Sequence, residues 1–123
     1  MYHFGTRSKG HLQTAHPTLQ RLFDEVIKHR DCSVLCGHRN KKDQNKAFKE
    51  GNSEVKWPDG KHNTLPSRAV DVVPYPLDWE DIAGFEAFGH FVLGVAAALE
   101  ISVRWPIIVY GGKDYPHFEL VEE

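Results

Sequence analysis

The sequence contains little cysteine and methionine, and it has no long apolar run. Its 123 residues include two cysteines and one methionine. Without a second cysteine pair, a zinc site built from four sulfur ligands is excluded. The most apolar stretch, residues 84–99, is interrupted by Glu86, Gly89 and His90, which excludes a transmembrane helix. We therefore expect no stable association with a membrane.

The two cysteines, Cys32 and Cys36, lie at the ends of a predicted strand. On a regular strand, residues four apart face the same side but lie too far apart for a disulfide. Their spacing also differs from the Cys-x-x-Cys of redox and zinc motifs. We expect both side chains to be buried, reduced thiols.

The chain also lacks a strong charge of either sign. Its net charge is −2 with histidine neutral, which argues against general electrostatic binding to nucleic acid. The first residues contain no apolar segment of the kind found in signal peptides, so we expect synthesis in the cytoplasm. The length predicts one domain over residues 1–123 with a single core.

Apolar periodicity and turn residues predict a mixture of helices and strands without regular alternation, which favours an α+β fold with a small, mainly antiparallel sheet packed against helices. The longest helix should supply the main apolar face. The predicted helices are 8–14 with Ser8 as N-cap, 17–29, 41–50 and about 78–100 with Asp78 as N-cap; the predicted strands are 32–36, 69–73, 101–105, 107–110 and 117–121.

Two distant segments contain the residue types of a metal site. Residues 62–71 begin with His62 and end with Asp71, and residues 114–119 include His117. Two imidazoles and a carboxylate suit Zn²⁺ and leave a fourth position for water. Zinc lowers the pKa of such a water to near neutrality and makes it a nucleophile. The pattern therefore favours a zinc hydrolase.

Each of these residues also has a structural interpretation. Asp71 lies in an apolar run, where an unpaired buried carboxylate would be strongly unfavourable. A metal ion would compensate its charge, and a salt bridge to Arg68 or Arg104 would do so equally well. Asp71 by itself does not distinguish a ligand from a structural ion pair.

The segment around His117 is similarly open to two interpretations. On a strand, His117 and Glu119 share one face, so Glu119 can orient an imidazole, or both can simply face solvent. Asp114 can be a turn residue. Arg39, after Gly37, can be a surface cation or a group that binds an anion in a cleft.

A family resemblance favours the functional interpretation. The Gly-His-Arg-Asn of residues 37–40 with Gln44, the segment 61–71, and the Asp-Tyr-Pro-His-Phe-Glu of residues 114–119 resemble the zinc peptidases of the D-Ala-D-Ala carboxypeptidase family. They are similar in particular to phage endolysins that cut the L-alanyl-D-glutamate bond of peptidoglycan. Matching residues at 4–5, 16–19 and 69–76 extend the resemblance over the chain.

The resemblance implies a role for each residue. By position, His62, Asp71 and His117 match the zinc ligands, and Asp114 matches the catalytic acid and base. Arg39 matches the arginine that polarises the scissile carbonyl. The implied fold is the one shared with the hedgehog signalling domain.

The implied activity is hydrolysis of a peptidoglycan stem-peptide bond, with the L-alanyl-D-glutamate bond as the first candidate. We expect a monomer that is made in the host cytoplasm and acts at the cell wall or periplasm after release. The alternatives are a D,D- or L,D-carboxypeptidase of wall precursors and a non-catalytic zinc-containing binding module. A purely structural zinc site would need neither Asp114 nor Arg39.

The chain departs from the family pattern at two places. Gly60 stands where many relatives carry serine, which removes one possible hydroxyl contact. Residues 105–114 are short and apolar where phage relatives have a longer loop rich in glycine and aspartate. The second departure is expected to affect substrate preference.

Overall fold

A computed structural model of the chain describes residues 1–107 and 114–121. Residues 108–110 of the predicted strand 107–110 and most of the loop 105–114 therefore lie outside the described residues. Within the described ranges the α+β prediction is confirmed, and the elements follow in the order α1 (Thr6–Gln13), α2 (Pro17–His29), β1 (Cys32–Cys36), α3 (Lys41–Lys49), β2 (Ala69–Pro74), α4 (Ile82–Ala98), β3 (Val103–Arg104) and β4 (His117–Leu120).

The strands form one sheet in the order β1-β2-β4-β3, and each neighbouring pair is antiparallel. The predicted antiparallel sheet is thus confirmed. Strand β4 comes last along the chain but lies between β2 and β3. The two central strands are therefore β2 and β4, which carry Asp71 and His117.

The core lies on the face of the sheet that α2 and α4 cover. Alternate residues of the central strands point into it, because side chains on a strand alternate between faces. Phe118 of β4 contacts Phe23 of α2 edge-on, with ring centroids 5.6 Å apart. Other members of this core cluster are Val70, Val72, Leu120, Phe88 and Trp105. The same alternation directs Asp71, His117 and Glu119 away from the core.

The N-termini of α1 and α2 are formed differently. Helix α2 has its predicted bounds, and His16 caps it by accepting a hydrogen bond at Nδ1 from the Thr18 amide, 3.1 Å away. Helix α1 begins earlier than predicted, after Gly5, and Ser8 is not its N-cap. The Ser8 hydroxyl instead accepts a hydrogen bond from the amide of Val34 at 3.0 Å, which joins α1 to β1.

The N-cap of helix α4 lies three residues later than predicted. Asp81 is the N-cap and accepts from the Gly84 amide at 3.0 Å, whereas Asp78 caps the preceding turn. Ile82, the first residue of the helix, is 42% exposed although it is apolar. The buried residues of α4 are Phe85, Phe88, Gly89, Val92 and Ala96.

Among the described residues no helix is both long enough and apolar enough to cross a membrane.

Two glycines of α4 provide a test of this packing. A Cβ at Gly89 would overlap the ring of Trp105, which is only 1% exposed and cannot move freely. We expect Gly89→Ala to lower the free energy of unfolding by about 1–3 kcal/mol, as overpacking does elsewhere. Gly94 has open space around it, so Gly94→Ala should raise that free energy by about 0.5–1 kcal/mol through helix propensity. Urea unfolding curves that shift in the same direction for both variants would contradict the packing.

Candidate metal centre

Asp71 lies at the middle of a row of side chains that crosses three strands. Cys36 of β1 is paired with Asp71 on one side, and His117 of β4 is paired with it on the other. Directly paired residues of antiparallel strands face the same side of the sheet. The row therefore brings a thiol, a carboxylate and an imidazole together on the face opposite the core.

A β-bulge places Cys36 in this row. Val34 is paired with Val72, but the next pair is Cys36 with Asp71, so two residues of β1 oppose one residue of β2. The extra residue turns Cys36 to the side of Asp71 and leaves Leu35 42% exposed. The prediction that Cys32 and Cys36 face the same side is wrong for this reason. Cys32 is buried in the core and Cys36 is half-buried outside it; both are free thiols.

His62 reaches the row from the loop that precedes β2. Its Nδ1 lies 2.7 Å from the carbonyl oxygen of Gly37. Because a carbonyl can only accept, Nδ1 carries a proton, and in the neutral ring Nε2 presents its lone pair. Nε2 lies 3.3 Å from Oδ1 of Asp71 and has no hydrogen-bond partner in the described part of the chain, although the residue is only 4% exposed. A buried nitrogen without a partner is unusual and needs an explanation.

His117 is oriented in the same manner by a different partner. Its Nε2 lies 3.0 Å from Oε1 of Glu119, and its Nδ1 lies 3.3 Å from Oδ1 of Asp71. The predicted shared face of His117 and Glu119 is therefore confirmed, and the carboxylate of Glu119 fixes the ring. The centroids of the His62 and His117 rings are 5.2 Å apart. Both imidazoles thus direct one nitrogen toward the same carboxylate oxygen.

The charged groups next to Asp71 are not the two arginines that the sequence offered as salt-bridge partners. Its carboxylate lies 3.5 Å from Nη2 of Arg39 and 3.3 Å from each imidazole, rather than against Arg68 or Arg104. The side chains of Arg39 and Asp71 are each 19% exposed. Arg39 is therefore part of the site and not a surface cation.

Gln44 holds the other side of the guanidinium. Its Oε1 accepts from Nη1 of Arg39 at 3.2 Å, and the residue is 1% exposed. Gln44 is the buried residue that α3 contributes, and Phe48 of the same helix is 38% exposed. Nε2 of Gln44 donates to Ser53 Oγ and Val55 O, and its Oε1 also accepts from Asn63 Nδ2.

Gly60 has a structural role beside this amide network. Its N–H donates to Oδ1 of Asn63 at 2.8 Å. A Cβ at this position would lie 2.7 Å from that oxygen and 3.1 Å from Oε1 of Gln44, both of them closer than ordinary contacts. A serine at this position would require the network to shift. Glycine at this position therefore fits the buried Asn63 and Gln44 of this chain.

Asp114 lies at the edge of the site, before the turn into β4. Its Oδ2 is 4.0 Å from Nδ1 of His117, and its side chain is 63% exposed. Desolvation by neighbouring atoms and then the negative charge of Asp71 raise the pKa of Asp114 above its usual value. Asp114 is thus an accessible carboxylate next to the cluster without being part of the row.

The comparisons with known proteins give the family. Residues 1–117 match the family model described as phage L-alanyl-D-glutamate peptidase. The chain belongs to this family. It is therefore a peptidase that acts on peptidoglycan. Its α+β fold is the fold of such enzymes. The crystal structure of Serratia marcescens L-Ala D-Glu endopeptidase ChiX is similar to this peptidase, with a TM-score of 0.81 and 28% sequence identity over 97% of this chain and 90% of that one. No curated protein matches the chain.

The peptidase has a donor set that fits a metal ion. The free ring nitrogen of His62 lacks a partner, and a cation between the two imidazoles and Asp71 would satisfy it. Donor atoms of Cys36, His62 and Asp71 all lie within 4.8 Å of one another. Imidazole, carboxylate and thiol together are typical ligands of zinc. The compatible cluster supports the expected metal site, and it includes a cysteine that sequence reasoning had not considered as a ligand.

Without a metal, the two imidazoles of the peptidase hold protons tightly. Burial favours the neutral ring of His62, but the neighbouring Asp71 carboxylate and Cys36 thiol outweigh it and raise the pKa of His62 to about 10. Burial is likewise outweighed at His117, where bonds to Asp71 and Glu119 raise the pKa to about 9. The same two imidazoles hold the pKa of the Asp71 carboxyl far below its usual range, despite burial.

These shifts predict how the stability of the metal-free peptidase depends on pH. Both folded-state pKa values exceed the ordinary value of 6.5, so the two imidazoles stabilise the fold fully below that pH and lose this contribution as the pH rises through about 9 to 10. With a chelator present, the melting temperature should therefore fall over that window. Zinc-loaded protein, in which the imidazoles are already neutral ligands, is the control and should not show this fall. Metal-free melting temperatures that rise over the window would contradict the assignment.

Proposed function

We propose that this chain is a zinc-dependent peptidase that hydrolyses the L-alanyl-D-glutamate bond of peptidoglycan stem peptides. In this proposal His62, Asp71 and His117 hold the zinc. The observation that carries it is the shared direction of the two imidazoles, each with one nitrogen bonded elsewhere and the other facing Oδ1 of Asp71. The similarity to an L-Ala D-Glu endopeptidase supports the choice of bond.

A zinc ion in this position supplies a Lewis acid and lowers the pKa of a nearby water molecule. Asp114 is the proton carrier. Its carboxylate is exposed, and its Oδ2 lies 4.0 Å from Nδ1 of His117. Its pKa is raised toward the pH at which the enzyme works, which favours a group that must both accept and release a proton. It accepts a proton from the attacking water and returns that proton to the leaving amine.

Arg39 stabilises the negative charge that develops on the carbonyl oxygen. Its guanidinium is already fixed by Gln44 and Asp71, so little reorganisation is needed when the substrate binds. Arginine suits this role because its planar fork stays charged and presents paired donors. A preorganised donor of this kind contributes on the order of 3–4 kcal/mol to transition-state stabilisation.

The proposal extends to the setting of the reaction. The substrate partner is the peptidoglycan stem peptide, and the enzyme acts as a single zinc peptidase domain and as a monomer. It is made in the host cytoplasm and acts at the cell wall or periplasm after release.

The ligand assignment predicts the metal content of variants. Wild-type protein should contain roughly one zinc per chain, and His62→Ala and His117→Ala should each lose most of it, because a ligand is removed from a small set. His29→Ala is the matched control, since His29 lies on α2 and bonds only Glu25 among the described residues. Elemental analysis after exhaustive dialysis measures the content. Full zinc in both site variants would rule out these ligands.

The role of Asp114 predicts a loss of turnover without loss of metal. Asp114→Asn keeps the volume of the side chain but cannot accept a proton, so the rate should fall by roughly 10²–10⁴-fold. Asp24→Asn, an exposed change on α2, is the control and should leave the rate unchanged. The measurement is mass spectrometry of fragments released from peptidoglycan, with zinc content determined on the same preparations.

The same fragments distinguish the alternative activities. An L-alanyl-D-glutamate endopeptidase releases peptides that begin with D-glutamate. A carboxypeptidase would release single terminal residues instead, and a non-catalytic binding module would release nothing while retaining its zinc. A wild-type rate in Asp114→Asn would refute the proposed proton carrier.

A further inference from the structure

Cys36 belongs to the metal cluster by geometry, yet the proposed reaction gives it no role. Its Sγ lies within 4.8 Å of donor atoms of both His62 and Asp71. Its thiol makes a single weak hydrogen bond, to the carbonyl oxygen of Gly37 at 3.6 Å. The same carbonyl accepts from Nδ1 of His62. The thiol and the imidazole of His62 therefore lie next to the same carbonyl group and close to each other.

The β-bulge indicates that this proximity is a specific feature of the strand. In a regular register Leu35 would oppose Asp71, and Cys36 would oppose Val70 and face the core, as Cys32 does. The extra residue instead aims Cys36 along the row that contains Asp71 and His117. Bulges commonly re-aim a side chain in this way next to functional sites.

We propose that Cys36 is a further ligand of the metal and binds through Sγ together with His62 and Asp71. This inference rests on the proposed function, because it requires the metal site. The thiol loses its proton to solvent as the sulfur–metal bond forms, and no electron is transferred. With His117, the protein ligands become one sulfur, two nitrogens and one oxygen, a set that favours zinc over magnesium or calcium, and the water of the proposed reaction would then occupy a fifth position.

Cobalt(II) bound to the full-length chain tests the inference without measuring activity. A thiolate ligand gives cobalt(II) a sulfur-to-metal charge-transfer band in the near ultraviolet, separate from the visible bands of the metal itself. The wild-type protein and Cys32→Ala should show the charge-transfer band, and Cys36→Ser and Cys36→Ala should lack it. Cys32 is a matched control because it is the other free thiol and lies at the opposite end of β1.

Metal affinity gives a second expectation. Cys36→Ser should weaken cobalt binding by more than about 10-fold, because even a residue that only hydrogen-bonds to a ligand commonly changes metal affinity by 10- to 100-fold. Equilibrium dialysis measures this. Unchanged affinity together with an unchanged near-ultraviolet spectrum in Cys36→Ser would overturn the inference.

Alkylation of the wild-type protein provides a test that needs no variant to fold. Zinc should slow the reaction of Cys36 with iodoacetamide by more than about 10-fold relative to chelated protein, since a coordinated thiolate is both bonded and shielded. Peptide mass spectrometry reads each cysteine separately. Cys32 should stay unmodified in both samples, because burial raises its pKa to about 12. Equal alkylation of Cys36 with and without zinc would count against a sulfur ligand.

The outcomes separate the two proposals. Stoichiometric cobalt with visible bands but without the charge-transfer band would overturn the role of Cys36 and leave the site of His62, Asp71 and His117 intact. Failure of the wild-type chain to bind either cobalt or zinc would overturn the metal site itself and with it the role of Cys36.

Discussion

The charge of the Asp71 carboxylate is the constraint on which the site depends. It lies on a central strand between Val70 and Val72, whose side chains are fully buried. A carboxylate in such a position must be compensated, because transfer of an isolated charge out of water is strongly unfavourable. Arg39 and the two imidazoles converge on it for that reason. The same arrangement creates the donor geometry that a metal ion requires. The interactions that compensate the charge of Asp71 therefore also assemble the metal centre.

Three separate devices hold the groups that surround this carboxylate. A main-chain carbonyl fixes His62, the carboxylate of Glu119 fixes His117, and a buried amide fixes Arg39. Each device leaves one polar atom of its residue directed at Asp71. Outer partners of this kind determine ring orientation and ligand basicity in metal sites. The site is therefore preorganised by hydrogen bonds from Gly37, Glu119 and Gln44. None of these three residues is a metal ligand in the proposed mechanism.

Much of the architecture could be predicted from the sequence. Helix α2 and strand β1 have their predicted bounds, because a clear apolar period and a following glycine specify them. The grouping of His62, Asp71 and His117 also followed from residue types and family resemblance. Their distances and the network of Gln44 and Asn63 could not be predicted, since a polar helix residue carries no local signal that distant loops will bury it.

The position of Cys36 was predicted incorrectly for a related reason. Simple alternation along β1 places Cys32 and Cys36 on one face, and the alternation of residue types in this segment gives no sign of an inserted residue. The bulge is a property of the pairing between β1 and β2, so it becomes visible only when both strands are present. The start of α4 could not be predicted for a similar reason. Asp78 and Asp81 are both suitable N-caps, and only the path of the folded chain decides between them.

The place of β4 in the sheet has a consequence for how the enzyme is made. Ribosomes deliver β1, β2 and β3 first, but β4 must insert between β2 and β3 before the sheet is continuous. Until then β2 has an open edge, and the ligand row contains Cys36 and Asp71 without His117. The proposed catalytic centre therefore cannot be complete until β4 has left the ribosome and has closed the sheet.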